Sequence, residues 1–134
     1  METETIKFSD IINTTPHDVH VHTPSGAVYT IASDPLRQLR MRQSAPSDAP
    51  IELLLAPDVH LSVTAAPQFT SIDGPMEELL ESVILVSMPV GEFIRAHRAD
   101  GFEATVVLGP DTGPAGAVRD GAGRIVGTRG IVMY

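Results

Sequence analysis

Eleven glycines and eleven prolines in 134 residues set the scale of what this chain can build. Proline removes a backbone donor and glycine weakens helix interiors. Spread along the whole chain, they leave few windows long enough for a helix and cut the sequence into short segments. Most of those segments alternate apolar and polar residues with period two, the strand period. The expected fold is therefore mainly β (β-rich α+β). It is a small barrel or a two-sheet fold of short antiparallel strands, with one short amphipathic helix near 88–98. The length suits a single domain over 1–134, with 1–12 a loosely ordered lead holding one short strand, Thr5 to Phe8.

Individual segments are legible. Asp18-Val19-His20-Val21-His22 alternates, Thr23-Pro24-Ser25-Gly26 reads as a turn, and Ala27 to Ala32 returns, so a β-hairpin is expected. Leu39-Arg40-Met41-Arg42 alternates and puts Arg40 and Arg42 on one strand face. Ser44 to Pro50 and Pro67 to Pro75 read as loops. Ile51 to Leu55 and Val59 to Thr64 flank the turn Ala56-Pro57-Asp58. Met76 to Leu80 suits a single helical turn. Val83-Ile84-Leu85-Val86 is a continuous apolar run, which predicts a central strand covered on both faces. Val90, Phe93, Ile94 and His97 then fall on one helical face, with Ser87 as N-cap and Pro89 in the first turn. The helix is expected to stop before Asp100-Gly101. Phe102 to Leu108 reads as a strand. Ala117-Val118-Arg119 and Arg124 to Val132 read as a closing hairpin around Asp120-Gly121-Ala122-Gly123.

Composition limits the function classes. There is no cysteine, so neither disulfide nor thiolate chemistry is available. The opening Met1-Glu2-Thr3-Glu4 has no signal-peptide pattern. The apolar run Val83 to Val90 is too short to span a bilayer. These features predict a soluble, cytoplasmic protein without a membrane partner. The net charge of −8 disfavours duplex nucleic acid. The nine basic residues are eight arginines and one lysine, and arginine clamps phosphate or carboxylate in two places where lysine does not.

Several groups are candidates for chemistry. His20 and His22 share a strand side, and His60 is a third conceivable zinc ligand, though a solvated strand face, where histidine is ordinary, is the expected explanation and no metal is expected. Thr15-Pro16-His17 holds an imidazole rigidly at the mouth of the first hairpin. Pro110-Asp111-Thr112-Gly113-Pro114 superficially resembles the Asp-Thr-Gly loop of aspartic proteases but lacks the second carboxylate such sites need. Arg40, Arg42, Arg119 and Arg129 would line an anion pocket if their strand faces converged. No phosphate-binding loop, nucleophile elbow or metalloprotease motif is present.

Asn13-Thr14-Thr15-Pro16-His17 and the later run Pro110-Asp111-Thr112-Gly113-Pro114 with Val118-Arg119-Asp120-Gly121-Ala122-Gly123-Arg124-Ile125-Val126-Gly127 resemble a family of small proteins of tailed phages and prophages. Its members open on an Asn-Leu-Thr-Pro-His-like motif. The resemblance covers residues 13–31 and 82–130; the stretch 36–78 diverges. Most members have no assigned function, so no catalytic residue carries over. The resemblance implies a phage accessory protein in the host cytoplasm. Joined to the arginine bias, it leads to an expected role in host-defence evasion. The protein would sequester a small anionic nucleotide-derived signal as a homo-oligomer, without a cofactor and without turnover. The ligand residues would be Thr15, His17, Arg40, Arg42, Ser87, Asp111, Thr112, Arg119 and Arg129. The alternatives are a phosphodiesterase-like enzyme acting through His17 with His20 or His22, and a virion or assembly module with no small ligand.

Overall fold

The computed structural model describes residues 5–45, 47–98, 101–102 and 105–134. The fold is mainly β, with four small sheets and one principal helix among the described residues. It forms two compact units, one from residues 1–40 with 72–134 and one from 41–71.

The first unit holds two four-stranded sheets. One takes the order β1-β8-β9-β12, from β1 (Ile11–Asn13), β8 (Val83–Leu85), β9 (Val106–Pro110) and β12 (Ile131–Met133). Its first three strands are parallel, with Ile11 opposite Val83 and Val83 opposite Val106, and β12 runs antiparallel to β9. The apolar run at 83–86 becomes the inner strand it predicts: Ile84, Leu85 and Val86 are fully buried. A parallel β8–β9 pair needs a crossover, which α2 (Met88–Ala96) supplies. Ser87 occupies the N-cap position, although its side chain makes no capping bond. Val90, Gly91 and Ile94 are the buried face of α2, and the helix packs against β9. His97 ends it by stacking on Phe93 with ring centroids 4.1 Å apart. The expected stop at Asp100, and positions 103 and 104 of the strand expected over 102–108, lie outside the described residues.

The second sheet takes the order β10-β11-β2-β3, from β10 (Ala117–Arg119), β11 (Ile125–Thr128), β2 (Val19–His22) and β3 (Val28–Ile31). The β2–β3 hairpin keeps the expected register, Val19 opposite Ile31 through His22 opposite Val28. Gly26 closes its turn at φ 90°, where a side chain would be strained. β11 then joins β2 in parallel through Thr128 and Val21.

Expectations change at four places. The stretch read as a loop from Pro67 to Pro75 holds strand β7 (Phe69–Asp73), and the one from Ser44 to Pro50 holds the start of β5 (Asp48–Ala56). The lead holds no strand at Thr5 to Phe8. Phe8–Asp10 is a 3₁₀ turn, and the strand is Ile11–Asn13, the segment that meets β8. The return leg of the closing hairpin is also not one strand. β11 ends at Thr128, the chain bends at Arg129-Gly130, and β12 crosses to the other sheet to pair with β9. Thr128 secures the bend: its buried hydroxyl lies 2.8 Å from the Asp111 carbonyl and 2.7 Å from that of Gly130.

The short helix α1 (Met76–Leu79) contributes the buried Leu79 to the first unit. The second unit holds β5 (Asp48–Ala56) with β6 (Val59–Thr64) and most of β4 (Arg40–Gln43) with β7 (Phe69–Asp73), as two-stranded sheets.

Candidate functional site

The segment Asn13-Thr14-Thr15-Pro16-His17 is a hydrogen-bonded knot. Asn13 is buried. Its Nδ2 donates to the carbonyls of His17 (2.9 Å) and Ile31 (2.8 Å). Its Oδ1 accepts from the N–H (3.0 Å) and hydroxyl (2.7 Å) of Thr15. Thr14, also buried, gives both its hydroxyl (2.8 Å) and its N–H (2.9 Å) to the Leu85 carbonyl. Ser33 closes the far side, donating its hydroxyl to the Thr15 carbonyl and its N–H to Asp18 Oδ1 (2.8 Å). No buried side-chain nitrogen or oxygen among the described residues lacks a partner. The knot ties β1, β2 and β3 together and holds the exposed His17 in one place.

His17 stands at a cleft of about 690 Å³. One wall is the run from Thr15 to His20. The facing wall is β11, from Ile125 to Thr128. The remainder comes from Ser87 and Met88 at the start of α2 and from Pro110 and Thr112 in the Pro/Gly loop. Pro16, Val19, Met88, Ile125 and Val126 make the lining chiefly apolar. The hydroxyls of Ser87 and Thr112, the imidazoles of His17 and His20, and the Asp18 carboxylate supply its polar groups. No lysine or arginine is among the lining residues. A smaller recess of about 280 Å³ adjoins it through Met88, Pro110 and Thr112 and continues to Glu92, Arg95, Asp111 and Tyr134.

Of the nine residues read from the sequence as ligand groups, Thr15, His17, Ser87 and Thr112 meet at the cleft. Thr15 is already committed to the knot. Asp111 lies in the recess, and its Oδ1 accepts from the Gly113 N–H (3.0 Å) to shape the loop corner. The arginines do not line the cleft. Arg119 donates to the Gly123 carbonyl (2.7 Å) and Arg129 to the Ala117 carbonyl (3.0 Å), so both guanidinium groups brace the hairpin. Arg40 is exposed beside Gln38, and Arg42 belongs to the other unit. The pocket expected from converging strand faces is thus replaced by an apolar cleft, because the guanidinium groups of Arg119 and Arg129 are held by local carbonyls.

The three histidines considered for zinc are dispersed in their roles. His20 Nδ1 pairs with Thr30 Oγ1 (2.8 Å). His22 packs against Gly127, where a Cβ would come within 2.6 Å of its Nε2. His60 pairs with Glu52 (2.5 Å). Among the described residues no three His, Asp or Glu side chains gather in a way that would hold a metal.

No protein-family model, curated protein or solved structure matches the chain. Function is therefore read from the cleft itself.

At the turn before β11, the backbone N–H of Arg124 leads several donors that hold the Asp120 carboxyl below the usual carboxylate range. In the recess, burial pushes the Tyr134 phenol above its ordinary value.

Sequence reasoning missed most of the cleft's apolar wall. Ile125 and Val126 reach it because β11 pairs in parallel with β2, a contact between residues more than 100 positions apart that no local pattern announces. Asn13 was also missed as the residue that positions His17. Its signal was present: an Asx residue two before a Thr-Pro pair readily bonds the backbone two residues on.

Proposed function

We propose that this protein captures a small ligand with a planar, largely apolar body in the cleft between the Thr15–His20 run and β11, and does not transform it. The observation that carries this reading is the lining: about 690 Å³ of chiefly apolar surface with a few separated hydroxyl and imidazole groups. Ligand sites typically occupy roughly 300–1,000 Å³ and combine apolar walls with a few fixed polar groups. Catalysis would require a nucleophile or base oriented by a second group. His20 is engaged by Thr30, and no hydroxyl in the lining is paired with an imidazole.

A nucleotide-derived signal, the ligand class suggested by the phage resemblance, fits through its nucleoside part. Pro16, Val19 and Val126 would cover a base, and Ser87, Thr112 and His17 would meet sugar hydroxyls or base edges. A polyphosphate is less well served, since the lining offers Asp18 and no cation. Capture of a nucleoside or a singly charged nucleotide is the form of the sequestration reading we favour. The phage context and the role in evading host defence belong to the same proposal and rest on the sequence resemblance alone.

The test is a thermal-shift series with nucleosides, cyclic mononucleotides, cyclic dinucleotides and nucleoside triphosphates, followed by chromatography of the recovered compound. A ligand at 100 times its Kd adds about 2.7 kcal/mol of stability. Expected is a shift with nucleosides or cyclic mononucleotides, intact recovery, and loss of the shift in Val126→Glu. Altered recovered ligand would overturn the binding-only reading. A shift confined to triphosphates would overturn the apolar-body reading, and no shift with any compound would remove the nucleoside class.

A further inference from the structure

The recess beside the cleft holds what the cleft lacks. The two share Met88, Pro110 and Thr112, so one ligand can lie across both. The cleft contributes an apolar wall with no lysine or arginine. The recess adds Glu92, Arg95, Asp111 and Tyr134. Glu92 and Arg95 stand three residues apart on α2 and pair with each other. Their side chains are 49% and 62% exposed. A surface pair of this kind contributes little to stability, so a ligand can open it at small cost. The charges of both also act on the Tyr134 phenol. A carboxylate, a guanidinium and a phenol therefore converge at one end of a continuous depression whose other end is apolar.

We propose that the recess is a subsite for an α-amino acid group, and that the captured ligand is a nucleoside whose sugar carries such a group on a short arm. The inference rests on the capture reading above and supplies the second half of the ligand. The ammonium of the arm takes Glu92, and its carboxylate takes the guanidinium fork of Arg95. One ion pair is thus exchanged for two charge-assisted contacts, and neither charge is left alone. The base stays in the cleft, and the arm crosses Met88, Pro110 and Thr112. Other arms are served less well. A phosphate arm meets the carboxylates of Asp18, Glu92 and Asp111 against the guanidinium of Arg95. A lone amine takes Glu92 and strips Arg95 of its partner. A neutral arm gains nothing by splitting the pair.

The experiment is calorimetric titration of the full chain with adenosine, S-adenosylhomocysteine, 5′-amino-5′-deoxyadenosine and adenosine monophosphate. Expected is S-adenosylhomocysteine binding roughly tenfold or more tightly than adenosine. Arg95→Gln and Glu92→Gln should each bind those two compounds alike. Arg37→Gln, outside both linings, should keep the gain. Equal affinity of wild type for adenosine and S-adenosylhomocysteine overturns the proposal and leaves the capture reading standing. A gain that survives both Arg95→Gln and Glu92→Gln overturns the recess assignment. An equal gain from 5′-amino-5′-deoxyadenosine, or a larger one from the monophosphate, overturns the amino acid class. Binding of none of the four overturns the proposal as well, and capture of another nucleoside in the thermal series would then stand without it. Circular dichroism of each variant confirms that the first unit remains folded.

Discussion

The ring of Tyr134 lies directly against the bare Cα of Gly91: a Cβ at that position would fall 2.4 Å from the ring. Gly109 of β9 leaves a similar space on the same residue, with a Cβ approach of 2.8 Å. Two absent side chains, one on α2 and one on β9, thus make a slot for one aromatic ring. Main-chain bonds hold Tyr134 in it: its N–H donates to the Val107 carbonyl (2.9 Å), and its own carbonyl accepts from Arg98.

This slot predicts a sign reversal. Alanine is favoured over glycine inside a helix by up to about 1 kcal/mol, yet Gly91→Ala should destabilise by about 1–3 kcal/mol because it expels the ring. In a Tyr134→Ala background the same substitution should stabilise. Urea unfolding of the four proteins of that cycle measures the coupling, and additive effects would refute the slot.

Arg98 is the strap behind it. Its guanidinium donates to the carbonyls of Phe102 and Thr105 at 2.8 Å each, and to that of Tyr134. Lysine keeps the charge but not the fork. Arg98→Lys should lower stability by about 1–3 kcal/mol through unmet carbonyls. Equal stability of the variant in urea unfolding would show that the three bonds carry no net weight.

Asn13 makes a prediction that links stability to function. Asn13→Ala removes four hydrogen bonds, leaving the Thr15 hydroxyl its second partner, the His17 carbonyl (2.8 Å), and should cost about 2–4 kcal/mol. Asn13→Asp keeps the shape but loses both donated bonds, so it should also destabilise. Both should weaken capture of any cleft ligand more than Arg119→Ala, whose guanidinium serves only the hairpin turn. Calorimetric titration of each folded variant with a ligand found in the thermal screen separates the two effects.

The carboxylates that shape turns should make the fold acid-sensitive in a defined window. Asp120 is held low chiefly by the Arg124 N–H, and Asp34 chiefly by the Arg37 side chain. A carboxyl with a depressed folded pKa stabilises fully above its unfolded value. That contribution is lost as pH falls from about 3.8 through the lower folded value. Asp120→Asn should therefore flatten the stability-pH curve in that window and leave it parallel to wild type near neutrality. An unchanged acid limb would refute the assignment.

Tyr134 acts at the other end of the scale. Burial raises its pKa, so the neutral phenol is favoured in the folded state. Its contribution is complete below the ordinary value near 10 and is lost as pH rises through the higher folded value. Alkaline titration of phenolate absorbance in a Tyr29→Phe protein should show the single remaining tyrosine ionising late. Ionisation at the ordinary value would place its ring in solvent.

The local elements of this fold were readable because each is written in neighbouring residues. The β2–β3 hairpin follows from His20-Val21-His22 and Gly26, and α2 from Ser87, Pro89 and the Val90-Ile94 spacing. What could not be read is the pairing between distant segments. Nothing near Ile11 announces Val83, and nothing near Val21 announces Thr128. Half of the cleft was legible for the same reason: Thr15-Pro16-His17, Ser87 and Thr112 sit in recognisable turns and caps. The arginines misled because residue type speaks to what a group can bind, whereas Gly123 and Ala117, close in the fold, determine what Arg119 and Arg129 do bind.

The run from Ile125 to Met133 serves one sheet as β11 and the other as β12, with a two-residue bend between. Neither sheet can be peeled away while the other stays intact, because the same nine residues are a rivet through both. Under mechanical load or during protease attack, the first unit should fail as a whole rather than one sheet at a time. A single nick at Arg129-Gly130 would remove that rivet and leave the Asn13 knot, which bonds β1 to the β2–β3 hairpin, as a remaining tie between the sheets.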